Sequence, residues 1–85
     1  MPVISRFYGI VVFMFWKDHA PPHFHARYQD GEVTVHIRTG AVEGRIARRA
    51  AVLVEEWRVL HEAELLANWE AGQRKTRMKS IEPLE

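Results

Sequence analysis

Between Phe7 and Trp16 apolar side chains occupy both parities of the chain, in a run dense in aromatic and β-branched residues. That pattern predicts one strand, covered on both faces or paired inside a sheet. Lys17 to Pro22 follows as a loop, because Pro21-Pro22 removes two backbone donors and turns the residue before it away from helix. From His23 to Gln29 the pattern alternates, with Phe24, Ala26 and Tyr28 on one face and His23, His25 and Arg27 on the other. Asp30-Gly31 signals a two-residue hairpin turn. Glu32 to Arg38 then alternates again, Val33, Val35 and Ile37 against Thr34, His36 and Arg38.

A turn at Asp30-Gly31 fixes a register. Gln29 pairs with Glu32, and on the polar face Arg27 lies across from Thr34, His25 from His36 and His23 from Arg38. Directly opposed Cβ atoms are about 4.5–5.5 Å apart, so one face is expected to carry three histidines and two arginines as a patch. Thr39-Gly40 and Glu43-Gly44 read as turns around a short fourth strand.

From Ala47 the period becomes helical. Ala50, Leu53, Val54, Trp57 and Leu60 share one stripe, whereas Leu65, Leu66 and Trp69 fall on the far side of the same helical wheel. The phase jump predicts two helices with a break near His61, the second ending at Gly72. The expected fold is α+β: a small antiparallel sheet of three to four strands (about residues 4–43) packed on one face by two C-terminal helices (about 47–72), then a basic tail over 73–85. All 85 residues form a single domain.

Composition narrows the chemistry. The chain has no cysteine, which excludes disulfide frameworks, thiolate metal sites and thiol redox, and fits a cytoplasmic protein. The apolar run from Ile10 to Trp16 is too short to cross a bilayer, so no membrane association is expected. At this size a partner, or a homodimer, commonly adds to stability. A net charge of +1 does not mark a nucleic-acid binder. Locally, Arg74, Lys75, Arg77 and Lys79 form an acid-free basic segment, suited to a phosphate backbone or to a solvated tail.

Three of the five histidines fall within the seven residues from His19 to His25. Imidazole exchanges protons near neutral pH and, when neutral, binds metals. One reading is metal-free phosphodiester cleavage, with no cofactor: His23, His25 and His36 transfer protons, Arg27 and Arg38 clamp the phosphate, and Asp18 and His19 support them. A second makes His19, His23, His25 and His36 alternative ligands of a divalent ion, with Asp18 completing the sphere. In a third, the same polar face simply docks a protein or nucleic acid. Phe15 and Trp16, ending a strand beside the histidine loop, are candidates for a pocket wall. Trp57 and Trp69 belong to the core, and His61 is expected to bond a backbone carbonyl.

Ile4-Ser5-Arg6-Phe7-Tyr8-Gly9-Ile10, Asp18-His19, Pro21-Pro22-His23-Phe24-His25-Ala26, Glu56-Trp57, Leu60-His61, Glu64-Leu65-Leu66, Asn68-Trp69 and Ile81-Glu82-Pro83-Leu84 together resemble the small bacterial family described as domain of unknown function 4160. Ala20 stands where members often carry Asn. The resemblance implies a genomic setting like that of a toxin–antitoxin pair, with a small cognate protein encoded by a neighbouring gene as partner. The leading expectation is therefore a toxin-like ribonuclease acting on RNA. The alternatives are a non-catalytic binding module, antitoxin-like or regulatory, and a small divalent-metal-binding protein.

Overall fold

Hairpin chemistry acts earlier in the chain than the hydrophobic run suggests. Tyr8 and Gly9 both take positive φ, 50° and 81°, as the two central residues of a type I′ turn must. They fold the expected single strand into two. In the computed structural model, which describes all 85 residues, β1 (Val3–Phe7) and β2 (Ile10–Phe13) form this hairpin, and β3 (His23–Tyr28), β4 (Gly31–His36) and β5 (Val42–Arg45) follow. The sheet is an antiparallel meander in the order β1-β2-β3-β4-β5. The α+β class holds, with five strands instead of three to four.

The β3–β4 turn is Gln29-Asp30, not Asp30-Gly31. Tyr28 pairs with Gly31, His25 with Thr34, and His23 with His36. His25 is therefore not opposite His36, and Arg38 lies beyond the end of β4, away from a pairing with His23. The displacement is two residues, which leaves every side chain on its expected face. Its cause is the neighbouring strand. A Cβ on Gly31 would stand 2.5 Å from the Arg45 carbonyl oxygen, so this glycine serves close backbone approach, and Gln29 takes the positive φ of the turn at 53°. Gly44, read as a turn residue, lies inside β5 at φ 101° opposite Val33. A Cβ there would meet the Glu32 carbonyl oxygen at 2.5 Å.

Ile10, Val12, Phe24, Ala26, Val33 and Val35 line the inner face of the sheet and join one buried cluster with α1 (Arg48–Leu60) and α2 (Glu62–Gln73). Trp57 of α1 is its centre. It is fully buried, 5.4 Å from the Phe7 ring and 5.7 Å from the Phe24 ring, and its indole N–H donates to the Glu82 carbonyl at 2.9 Å. Leu65 and Trp69 enter from α2, while Leu60, expected on the α1 stripe, is exposed. The helices do part at His61. Its backbone N–H closes α1 on Trp57 and Arg58, and its ring meets the Glu64 carboxylate at 2.6 Å in place of the expected backbone carbonyl.

Arg58 is buried by virtue of its partners. Its guanidinium donates to both carboxylate oxygens of Glu55, at 2.8 and 2.7 Å, and to the Ile37 carbonyl at 2.7 Å. The segment after α2 is strapped down and is not a free tail: Met78, Ile81 and Leu84 are buried, Asn68 bonds the Lys79 backbone in both directions at 2.8 Å, and the Ile81 N–H donates to the Ile4 carbonyl at 2.8 Å.

Candidate metal centre

The outer face of the sheet carries the histidines because β3 alternates, and the loop between β2 and β3 folds over them. Phe13, the outward residue at the end of β2, stacks on His25 with centroids 5.1 Å apart and planes 12° apart. Phe15 meets the same imidazole edge-on at 4.9 Å. The loop is anchored from α2, where the Gly72 carbonyl accepts the Lys17 N–H at 3.1 Å and Gln73 donates to the Asp18 carbonyl at 2.9 Å. These bonds hold Asp18 over β3.

His23 is 7 % exposed, with both ring nitrogens facing acceptors. Nδ1 lies 2.7 Å from the Pro21 carbonyl and Nε2 lies 2.8 Å from Asp18 Oδ2. A carbonyl only accepts, so Nδ1 carries a proton. With that proton in place, the Nε2 of a neutral ring aims a lone pair at a carboxylate, an arrangement satisfied by a second proton or by a cation.

His25 poses the same question more sharply. Its Nε2 is buried without a hydrogen-bond partner and lies 3.6 Å from the same Asp18 oxygen, too far for a hydrogen bond. Its Nδ1 faces the Thr34 hydroxyl at 3.5 Å. Burial, offset in part by Asp18, holds the His25 imidazole below its ordinary pKa and so favours the neutral ring. At Asp18, burial acts to raise the pKa, but the His19 backbone N–H and the neighbouring imidazoles outweigh it and keep the carboxyl below its ordinary value. An ionised carboxylate and a neutral imidazole are the forms that ligate metals.

One ligand atom each from Asp18, His23 and His25 lies within 4.8 Å of the others. Ligands about 2.0–2.1 Å from a tetrahedral zinc ion stand roughly 3.3 Å apart, and the 2.8 and 3.6 Å separations to Asp18 Oδ2 bracket that value. The Pro21 carbonyl on His23 Nδ1 is the outer-shell partner that fixes a ligating tautomer. The residue types and the spacing fit a divalent ion.

The triad opens into a cleft of about 310 Å³ that also reaches Phe15, His19, His36 and Glu43. The structure therefore brings together Asp18, His19, His23, His25 and His36, with Phe15 as the wall. It does not bring the arginines in. Arg27 lies over the Phe13 ring at 5.1 Å and bonds Glu32 at 3.2 Å, and neither it nor Arg38 lines the cleft. Sequence reasoning missed Glu43, whose carboxylate is 3.8 Å from His36 Nε2. Its only signal was the pairing of β4 with β5, which sets Glu43 opposite Thr34.

No helix is long and apolar enough to cross a membrane. Comparison with curated proteins and with solved structures finds no match. A family model does match, over residues 9–70, spanning β2 to most of α2 and the whole His19–His25 cluster, but neither β1 nor the closing Ile81–Leu84 segment. The chain thus belongs to the family described as domain of unknown function DUF4160.

Proposed function

We propose that the outer face of the sheet is a divalent-cation site, held by Asp18 Oδ2, His23 Nε2 and His25 Nε2, that activates a water molecule for hydrolysis. The observation that carries this reading is the buried, partnerless Nε2 of His25, converging with a second imidazole on one carboxylate oxygen. Leaving that nitrogen unsatisfied costs about 1–3 kcal/mol. A cation removes that cost and gives Asp18 a counter-charge. Three protein ligands leave a coordination position open to the cleft, the arrangement of catalytic and not structural zinc sites. His36 and Glu43, on the same cleft, form an imidazole–carboxylate pair suited to receive the proton of a bound water.

The test is calorimetric titration of untagged protein with zinc and manganese ions, beside elemental analysis of the purified chain. One ion per chain, lost in His25→Ala and Asp18→Asn, supports the site. Absence of binding at micromolar metal by protein with native circular dichroism sinks it.

A second reading is favoured by the 2.8 Å contact between His23 and Asp18. In it no metal binds: Asp18 and His23 hold each other, and the partnerless Nε2 of His25 beside them transfers the proton on an RNA phosphodiester in a toxin-like protein. RNA cleavage that survives EDTA but not His23→Ala selects this reading. Growth arrest on expression, relieved by the product of a neighbouring gene, tests the toxin role.

A further inference from the structure

The basic segment is unused by the cation site, yet it is a built surface. Trp16, Lys17 and Lys75 line an open cleft of about 430 Å³, and Arg74, Arg77 and Lys79 line the adjoining one with Asn68 and Thr76. Trp16 is 47 % exposed. About half of this residue's surface is open to solvent, and the indole is held in place, its N–H donating to the Thr76 carbonyl at 3.2 Å. The backbone that carries the cations is fixed as well, because Met78 is buried between them and Asn68 clamps the Lys79 main chain. One carboxylate approaches the strip, Glu70 at 3.9 Å from Arg74, in an exposed pair of little energetic weight.

We propose that this strip is a binding site for single-stranded nucleic acid, with a base stacked on Trp16 and backbone phosphates on Lys17, Lys75 and Arg77. An aromatic face among anchored cations is the recurrent platform for single strands, since every base offers a π-face and every nucleotide a charge. A duplex hides its bases and gains nothing from Trp16. An acidic protein segment would match the cations but leave the indole uncovered. Phe15 and Asp18, which flank Trp16-Lys17 in sequence, both line the histidine cleft. The platform extends the hydrolytic reading by naming a substrate class, but binding to it stands apart from metal.

The intact protein provides its own probe. Trp57 and Trp69 are 0 % and 6 % exposed, so quenching by a stacked base reports Trp16. Titration with oligothymidylate and oligouridylate in EDTA is expected to give saturable quenching that weakens steeply with salt, about 0.7 decades of affinity per decade of salt for each phosphate held. Trp16→Ala is expected to weaken binding about tenfold, read by anisotropy of a labelled strand. The exposed pair Lys75→Glu and Arg77→Glu is expected to weaken it at least as much and to flatten the salt slope, and carries the test by itself if Trp16→Ala fails to fold. Absence of binding at low salt overturns the proposal, as does equal capture of polyglutamate or anionic vesicles, or of the strands themselves by the charge-reversed variant. Because EDTA is present throughout, failure here leaves the cation site standing, and failure of the cation site leaves this result unchanged.

Discussion

The two faces of the sheet are built from the same strands and both bury side chains, the inner one across most of its area and the outer one around Phe13 and His23, but by different means. On the inner face Phe24, Ala26, Val33 and Val35 are at most 3 % exposed, among other apolar side chains. On the outer face Phe13 is as buried as Val35, yet its neighbours are His25, Phe15 and the Arg27 guanidinium. Burial inside is matched by packing, with the Ser5 hydroxyl, beside Val12, the one buried side-chain polar atom there without a partner. Burial outside desolvates imidazoles that the protein itself does not fully satisfy. The first arrangement stabilises the fold, and the second leaves a buried ring nitrogen unsatisfied at a cost in stability.

Four substitutions or conditions sharpen this contrast, the largest first. Trp57→Ala on the inner side is expected to lower unfolding free energy by about 3–5 kcal/mol in a urea melt, a large share of the total for a domain this size. Arg58→Ala strands the Ile37 carbonyl and frees Glu55, and is expected to cost about 2–3 kcal/mol in the same measurement. His25→Phe should act in the opposite sense. It keeps an aromatic ring against Phe13 and Phe15 while deleting the unsatisfied nitrogen, so the metal-free protein is expected to gain about 1 kcal/mol, or roughly 4–8 °C in Tm, while losing cation capture. A fall in Tm with retained metal binding would break the contrast between the faces.

The smallest effect is on pH. The folded-state pKa of His25 lies below the ordinary 6.5, so the unfolded chain takes up the extra proton on acidification and stability falls as pH drops below about 6.5, levelling once the folded imidazole also charges. Glu55, held low first of all by its hydrogen bonds from Arg58, and Asp18 act further down: their contribution is complete above ordinary values of 4.5 and 3.8 and is lost as pH falls through their folded values. Thermal melts in EDTA should therefore show a first decline near neutrality that disappears in His25→Phe and a second, more acidic one that remains.

Face assignment was legible in the sequence because alternation is a strong signal. His23, His25, Thr34 and His36 do share the outer face. Register was not legible, since a slip of two residues preserves every face and leaves the hydrophobic pattern indifferent. What decides it is a backbone contact between Gly31 and Arg45, residues whose pairing no local pattern announces. The Tyr8-Gly9 turn was hidden by the apolar residues around it, Tyr8 being an unusual occupant of positive φ. Asp18 and the alternative metal ligands could be named in advance, but the convergence of two Nε2 atoms on one oxygen depends on loop anchoring by Gly72 and Gln73, some fifty-five residues away along the chain.

The borders of the sheet have a consequence for how this protein meets others. On one side Ile81 already occupies a backbone acceptor of β1. On the other, β5 is fully exposed but short, and it presents Glu43 and Arg45 about a glycine at φ 101°. A strand arriving at either margin finds a partly filled ladder or a charged, bent one, and both features oppose main-chain pairing with a further chain. Such margins confine the ladder to the strands of this chain, so a side chain on either face can change without extending the sheet.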